Sequence, residues 1–130
     1  MSQKFLICIV DDNRCFRDAL EALIVSMDYD VAAFASAEDY LNSDLVERTS
    51  CLISDWQMPG MNGGELQDRL TASGHRIPAI FVTAVCPEKE RTRLLRGGAL
   101  GVLEKPFDVN ALVECLHKAL GSAGERGSRS

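Results

Sequence analysis

The sequence predicts an α/β domain built on a doubly wound parallel sheet, with helices covering both faces. Three observations carry this reading. Strand-like and helix-like segments alternate five times along the chain. The strand segments at residues 5–10, 51–54 and 79–82 are apolar runs without polar alternation, as expected where helices cover both sides of a sheet. Polar or charged residues stand at the ends of these runs: Asp11, Asp12, Asp55, Thr83 and Lys105. Ligands of doubly wound sheets bind beyond the carboxyl ends of the strands, where the winding direction reverses.

Each element has its own signal. Residues 5–10 are six apolar residues in a row. A helix over residues 14–27 follows, because Phe16, Leu20, Leu23, Ile24 and Met27 share one stripe. Residues 31–34 read as a short strand. Ser36 caps the next helix, with Asp39 three positions on in the manner of a capping box. Residues 51–54 form the third strand. Pro59-Gly60 marks a turn in the loop 56–62, and Gly63-Gly64 lead into a helix that carries Leu66 and Leu70 and ends near Gly74. Residues 79–83 are the fourth strand. Pro87 opens a helix that stops at Gly97-Gly98. Only Leu94 and Leu95 are strongly apolar within it, so little holds it down. Residues 102–104 are the last strand, broken by Pro106. Asp108 caps a final helix with the stripe Val109, Leu112, Val113, Leu116 and Leu120. Residues 1–120 thus read as one domain. Residues 121–130 lack apolar periodicity and are expected to be a disordered tail or linker.

Composition narrows the function classes. With 130 residues and 46% apolar content, the chain has material for a single core. A net charge of −5 argues against a nucleic-acid surface on this domain, since phosphate binding needs a clustered basic face. Lys89, Arg91, Arg93 and Arg96 are interleaved with Glu88 and Glu90 and read as a solvated helix face. No apolar run is long enough to span a bilayer, and no signal-peptide pattern opens the chain, so a cytoplasmic location is expected. The five cysteines are odd in number and lack a C-x-x-C, which suits reduced thiols. Cys8 and Cys51 fall within strand runs, and Cys15 is expected to be buried or inert. His75 and His117 have no partner at metal-ligand spacing. Trp56 reads as a partly exposed loop residue without a binding role.

The strand ends carry the chemistry. Singly they are bland: Asp11-Asp12 would cap a helix, Asp55 would be a solvated strand end, Thr83 favours strands, and Lys105-Pro106 is a turn. Together, three carboxylates and one lysine sum to −2, a charge that a divalent cation cancels. Hard oxygen ligands suit Mg²⁺ or Mn²⁺ better than zinc. The cation and Lys105 would screen an incoming phosphoryl group, Thr83 would donate a hydrogen bond to it, and Asp55 on the central strand is the natural nucleophile. Such a transfer needs positioning and charge neutralisation rather than a separate general base.

Four motifs in order resemble the receiver domains of bacterial two-component response regulators, the CheY-like family. They are Ile9-Val10-Asp11-Asp12-Asn13, then Ser54-Asp55-Trp56-Gln57-Met58-Pro59-Gly60-Met61-Asn62-Gly63, then Phe81-Val82-Thr83-Ala84, then Glu104-Lys105-Pro106-Phe107. The resemblance runs from about Lys4 to Leu120. It implies a flavodoxin-like, three-layer αβα fold with strand order 2-1-3-4-5. It implies that Asp55 accepts a phosphoryl group from a sensor histidine kinase or a histidine phosphotransfer protein. Asp12, Asp55 and the carbonyl of Gln57 would bind the metal directly, with Asp11 acting through a metal-bound water. Thr83, Ala84 and Lys105 would contact the phosphoryl group, and the bond from Lys105 to Pro106 would be cis. The residues 87–120 would offer a face for a homodimer or an effector. Autophosphorylation and slow dephosphorylation are expected, without turnover of an external substrate.

Two positions depart from the family pattern. Val102 stands where many receivers carry Tyr or Phe, and valine cannot perform the aromatic rotamer switch. Gly64 stands where a larger apolar residue is usual, which should weaken the start of its helix. Val102 motivates an alternative reading, a receiver-fold interaction module without a productive switch. An aspartate-nucleophile phosphatase would want a second acid where Gln57 stands. A flavin carrier would want backbone donors and hydroxyls where the first loop is anionic.

Overall fold

The computed structural model describes residues 5–106 and 108–128, with the side chains of 122–128 left aside. Lys4 and Phe107, which flank the motif matches, lie outside the described residues. The order is β1 (Leu6–Val10), α1 (Arg14–Ser26), β2 (Asp30–Phe34), α2 (Ala37–Leu41), a 3₁₀ turn (Val46–Arg48), β3 (Cys51–Ser54), α3 (Gly63–Ala72), β4 (Ala79–Thr83), α4 (Glu88–Arg96), β5 (Gly101–Glu104) and α5 (Val109–Ser128). All strand pairs are parallel, in the spatial order β2-β1-β3-β4-β5. This is the expected doubly wound sheet.

The apolar strand runs divide their side chains between two cores. Ile7, Ile9, Cys51, Ile53, Ile80 and Val82 meet Leu20 and Ile24 of α1 and Leu112 and Leu116 of α5. Their alternates Cys8, Val10, Leu52 and Phe81 meet Tyr40 of α2, Leu66 and Leu70 of α3 and Leu94 of α4. Burial on both faces is the reason the strands carry no polar alternation. Val102 is a core residue on the α3–α4 side, paired in register with Phe81.

Two caps are those the sequence predicts, at Ser36 and Asp108, and a third at Asn62 was not read from it. Ser36 accepts the Asp39 N–H at 3.0 Å. Asp108 accepts the Asn110 N–H at 3.0 Å. Asn62 forms a full capping box with Glu65, which compensates for the two glycines that open α3. Some boundaries shift, and β1 begins at Leu6. α1 stops at Ser26, where Asp28 turns the chain with φ 67°, a left-handed conformation that a short polar side chain tolerates. β2 and β5 each begin one residue earlier than their apolar runs, at Asp30 and Gly101, because ladder bonding does not require an apolar side chain.

The tail expectation also meets a difference. α5 continues to Ser128, past Leu120 where its apolar stripe ends. Extending a formed helix adds one hydrogen bond per residue fixed, so a helix can outrun its stripe. Cys15 is exposed rather than buried, on the solvent side of α1. No described helix is long and apolar enough to cross a membrane.

One buried polar network lies beneath the α2 side of the sheet. Thr49 donates its hydroxyl to the Leu45 carbonyl at 2.8 Å, so its oxygen accepts from the Tyr40 hydroxyl at 2.8 Å and lies 3.3 Å from the Cys8 thiol. Burial pushes the Tyr40 phenol up to about 12. Burial likewise pushes the Cys51 thiol up to about 12. The folded state therefore holds both protons more tightly than the unfolded chain does. This stabilisation is complete below the ordinary thiol value of 9.0 and is lost as pH rises toward about 12. Denaturant unfolding from pH 8 upward should show a flat stability that declines through that window, with the Tyr40 share of the tyrosinate absorbance appearing on unfolding. Tyr40→Phe should cost about 1 kcal/mol at neutral pH and remove the tyrosine part of the alkaline decline. An unchanged alkaline profile in that variant would show that the phenol is not held protonated.

Candidate functional site: an acidic pocket at the strand ends

The winding direction reverses between β1 and β3, and the pocket opens there. Three of its residues extend the sheet by a backbone bond beyond their strands. The Asp11 N–H donates to the Phe34 carbonyl at 3.1 Å, the Asp55 N–H to Val10 at 2.9 Å and the Lys105 N–H to Thr83 at 2.8 Å. The carboxyl ends of the strands thus fix where the side chains begin.

Asp11 and Asp55 are built alike. Asp11 accepts the Asn13 N–H at 2.8 Å on one oxygen and the Lys105 ammonium at 2.9 Å on the other. Asp55 accepts the Gln57 N–H at 3.0 Å on one oxygen and the same ammonium at 3.1 Å on the other. Both carboxylates are buried, at 2% and 7% residue exposure, while Asp12 is exposed. One carboxylate oxygen from each of Asp11, Asp12 and Asp55 can be chosen so that all three lie within 4.8 Å of one another.

Burial pushes the Asp11 carboxyl above its ordinary value, and the hydrogen bonds from Lys105 and Asn13 offset this only in part. For Lys105, burial by itself pulls the ammonium down. The hydrogen bonds and charges of Asp11 and Asp55 outweigh it, and the net shift is upward. The pocket therefore retains its cation and carries more negative charge than one ammonium neutralises. Two acids with little water, one acid open to solvent and a surplus of negative charge are what a hard divalent cation with retained waters requires. The residues present fit Mg²⁺.

The remaining expected residues are placed as follows. Thr83 is fully buried, and its hydroxyl donates to the Val85 carbonyl at 3.2 Å. Ala84 follows it and is exposed. The Lys105–Pro106 bond is cis. Lys105 is not the solvent-exposed end charge that its place after a strand suggests. Its side chain is only 18% exposed and is held by two buried carboxylates.

Several contributors were missed by reading the sequence. The Phe16 ring lies under the Lys105 ammonium, 4.0 Å from Nζ to centroid, a cation–π contact. Its sequence signal was submerged in the apolar stripe of α1. The Arg17 guanidinium donates to the Asp11 carbonyl at 2.8 Å. Glu38 of α2 accepts the Met61 N–H at 3.3 Å and braces the loop after Asp55. These contacts join residues whose spacing carries no periodic signal.

Gly63 and Trp56 complete the surroundings. A Cβ at Gly63 would lie 2.8 Å from the Asp55 carbonyl oxygen and 2.9 Å from the Trp56 Cα, so only glycine lets α3 start this close to the end of β3. Trp56 is half-buried, and its indole packs on the α3–α4 core. Its Nε1 is buried with no hydrogen-bond partner, alone in this among the described side chains. Leaving such a donor unpaired costs about 1–3 kcal/mol.

The comparisons agree with this geometry. The profile of the response regulator receiver domain matches residues 7–117. Nodulation protein W of Bradyrhizobium diazoefficiens is 34% identical over 115 residues, which are 88% of this chain and 51% of that protein. Transcriptional regulatory protein TdiR of Thauera aromatica is 32% identical over 86% of this chain and 49% of its own length. The chain thus spans about half the length of these curated relatives. Among solved structures, the response regulator StyR superimposes with a TM-score of 0.87 at 35% identity, over 98% of this chain and 65% of that one. FixJ-N superimposes with a TM-score of 0.79 at 28% identity, over 91% of this chain and 94% of that one. A parallel sheet in the order 2-1-3-4-5, an acid cluster and a lysine at its carboxyl edge, and a profile match over nearly the whole chain lead to one assignment: the chain belongs to the receiver domain family of two-component response regulators.

Proposed function

We propose that Asp55 accepts a phosphoryl group from a phosphohistidine on a sensor histidine kinase or a histidine phosphotransfer protein, and that the phosphorylated domain changes its affinity for a partner. The observation that carries this reading is the state of the Asp55 carboxylate. It is buried, oriented by the Gln57 N–H and faced by the Lys105 ammonium, within an acid cluster suited to a metal.

The step needs few parts. A carboxylate oxygen of Asp55 attacks phosphorus, the P–N bond breaks, and its electron pair returns to the imidazole. Asp11, Asp12, Asp55 and the Gln57 carbonyl would hold Mg²⁺, or Mn²⁺ as the other suitable hard ion. When bound, the ion supplies charge neutralisation for the phosphoryl oxygens. Lys105 exchanges its bond to Asp55 for one to the phosphoryl group while keeping Asp11. The Thr83 hydroxyl turns from the Val85 carbonyl toward the same oxygens, and Ala84 contributes at the rim. Water hydrolyses the acyl phosphate slowly, and no external metabolite is turned over.

Residues 1–120 form the receiver unit in this reading, the helical extension after it is a linker, and the protein acts in the cytoplasm. The residues 87–120 offer the face for a second copy or an effector. TdiR is named as a transcriptional regulatory protein, and the match covers 49% of its length. Any contact to nucleic acid would then belong to residues beyond this domain. The reading as an interaction module without a switch rests on Val102 alone and has the assembled acid–lysine pocket against it.

Labelling with a small phosphodonor in Mg²⁺ should give one modified site. Asp55→Asn should abolish it and Asp12→Ala should weaken it, as read by intact mass; labelling that survives in the Asn variant would remove Asp55 from the role. Lys105→Ala should leave Asp11 and Asp55 facing each other without a cation. Metal-free stability should then fall by about 1–3 kcal/mol, with millimolar Mg²⁺ restoring much of it. Equal stability of that variant and wild type in chelator would show that the ammonium does not hold the carboxylates together.

A further inference from the structure

We propose that Trp56 relays the state of Asp55 to α4, a task that Val102 has no ring to perform. The inference rests on the phosphoacceptor reading and concerns how the loaded site is heard elsewhere in the domain.

The path is short. Trp56 follows Asp55 in the chain, and its carbonyl accepts the Gly63 N–H at 2.8 Å. A displacement of the Asp55 backbone therefore moves both Trp56 and the first turn of α3. The indole extends from there to Gly64. A Cβ at that glycine would lie 3.5 Å from Trp56 Nε1 and 3.8 Å from Arg93 Nη1 of α4. The ring and the guanidinium thus converge on the volume that a side chain at 64 would fill. A large residue at 56 and none at 64 are complementary. Arg93 in turn pairs with Asp68 of α3 and, at 3.5 Å, with Glu90 of its own helix.

The relay has two features of a switchable element. The resting indole keeps a buried N–H without an acceptor, so any arrangement that exposes or pairs this donor competes well with the resting one. α4 is lightly held: Leu94 is its one buried residue, and the Gln67 amide donates to the Leu94 carbonyl at 3.0 Å. Few buried contacts make an element easy to displace. Loading Asp55 shifts the 55–56 backbone, the indole leaves its seat over Gly64, and Arg93 loses the surface on which its pairing with Asp68 is set. α4 then repositions without a rotating ring on β5.

The test uses the full chain with beryllofluoride and Mg²⁺ as the phosphoryl mimic. Loading is followed by ¹⁹F NMR, and α4 by amide exchange of residues 88–96. In wild type, loading should change those exchange rates about tenfold. In Trp56→Ala, loading should persist while the α4 response falls below about twofold. Trp56→Phe, which keeps an apolar ring without the N–H, should load and respond weakly. Gly64→Leu should expel the indole and give α4 loaded-like exchange with no ligand present. A full α4 response in loaded Trp56→Ala or Trp56→Phe overturns the relay, as does loaded wild type with an unchanged α4. Wild type that fails to load at all removes the phosphoacceptor reading, and the relay with it.

Discussion

One ammonium ties the carboxyl edge of the sheet together. Lys105 sits beyond β5, Asp11 beyond β1 and Asp55 beyond β3, and the two acids are 94 and 50 residues away from it in the chain. Without that cation, two buried carboxylates would face each other across the switch point, where each would disfavour the charge of the other. The rest of the pocket supports this arrangement. Phe16 places a ring face under the ammonium, and the N–H groups of Asn13 and Gln57 occupy the carboxylate oxygens that the lysine does not reach. The site is set before any ligand arrives, which is the condition for catalysis by positioning.

The same arrangement explains why the pocket is receptive. Lysine neutralises one charge of three, and burial already disfavours the ionised form of Asp11. A divalent ion relieves that imbalance. In the proposed reaction an incoming phosphoryl group would compete with Asp55 for the ammonium, and one of the bonds that hold the resting state would be released.

Much of this was legible in the sequence because parallel strands leave a plain trace. Apolar runs ended by Asp11, Asp55, Thr83 and Lys105 gave both the sheet and the edge at which the site lies. Caps at Ser36 and Asp108 rest on neighbouring residues and were also readable, whereas the Asn62 cap of α3 was not read. What escaped depends on distance in space rather than spacing in the chain. Phe16 looked like any other core residue of α1, and Lys105 looked like an exposed charge until two buried acids were found on it. Glu38 reaches 23 residues to Met61, and no local pattern marks such a bond. Trp56 read as a loop residue because its seat over Gly64 is visible only once α3 and α4 are packed. α5 runs on to Ser128, past the apolar stripe that ends at Leu120, because periodicity marks the stripe and not the length of a helix.

Gly74 closes α3 in a left-handed turn, φ +83°, with open space where a side chain would stand. That corner lies at the rim where helices finish and strands begin, opposite the acid cluster. The polarity of the sheet therefore leaves a working end and a spare end on one small body. A spectroscopic tag tethered at the exposed Ser73, beside that turn rather than on it, would ride on α3 and report on its motion from the side away from the acid cluster.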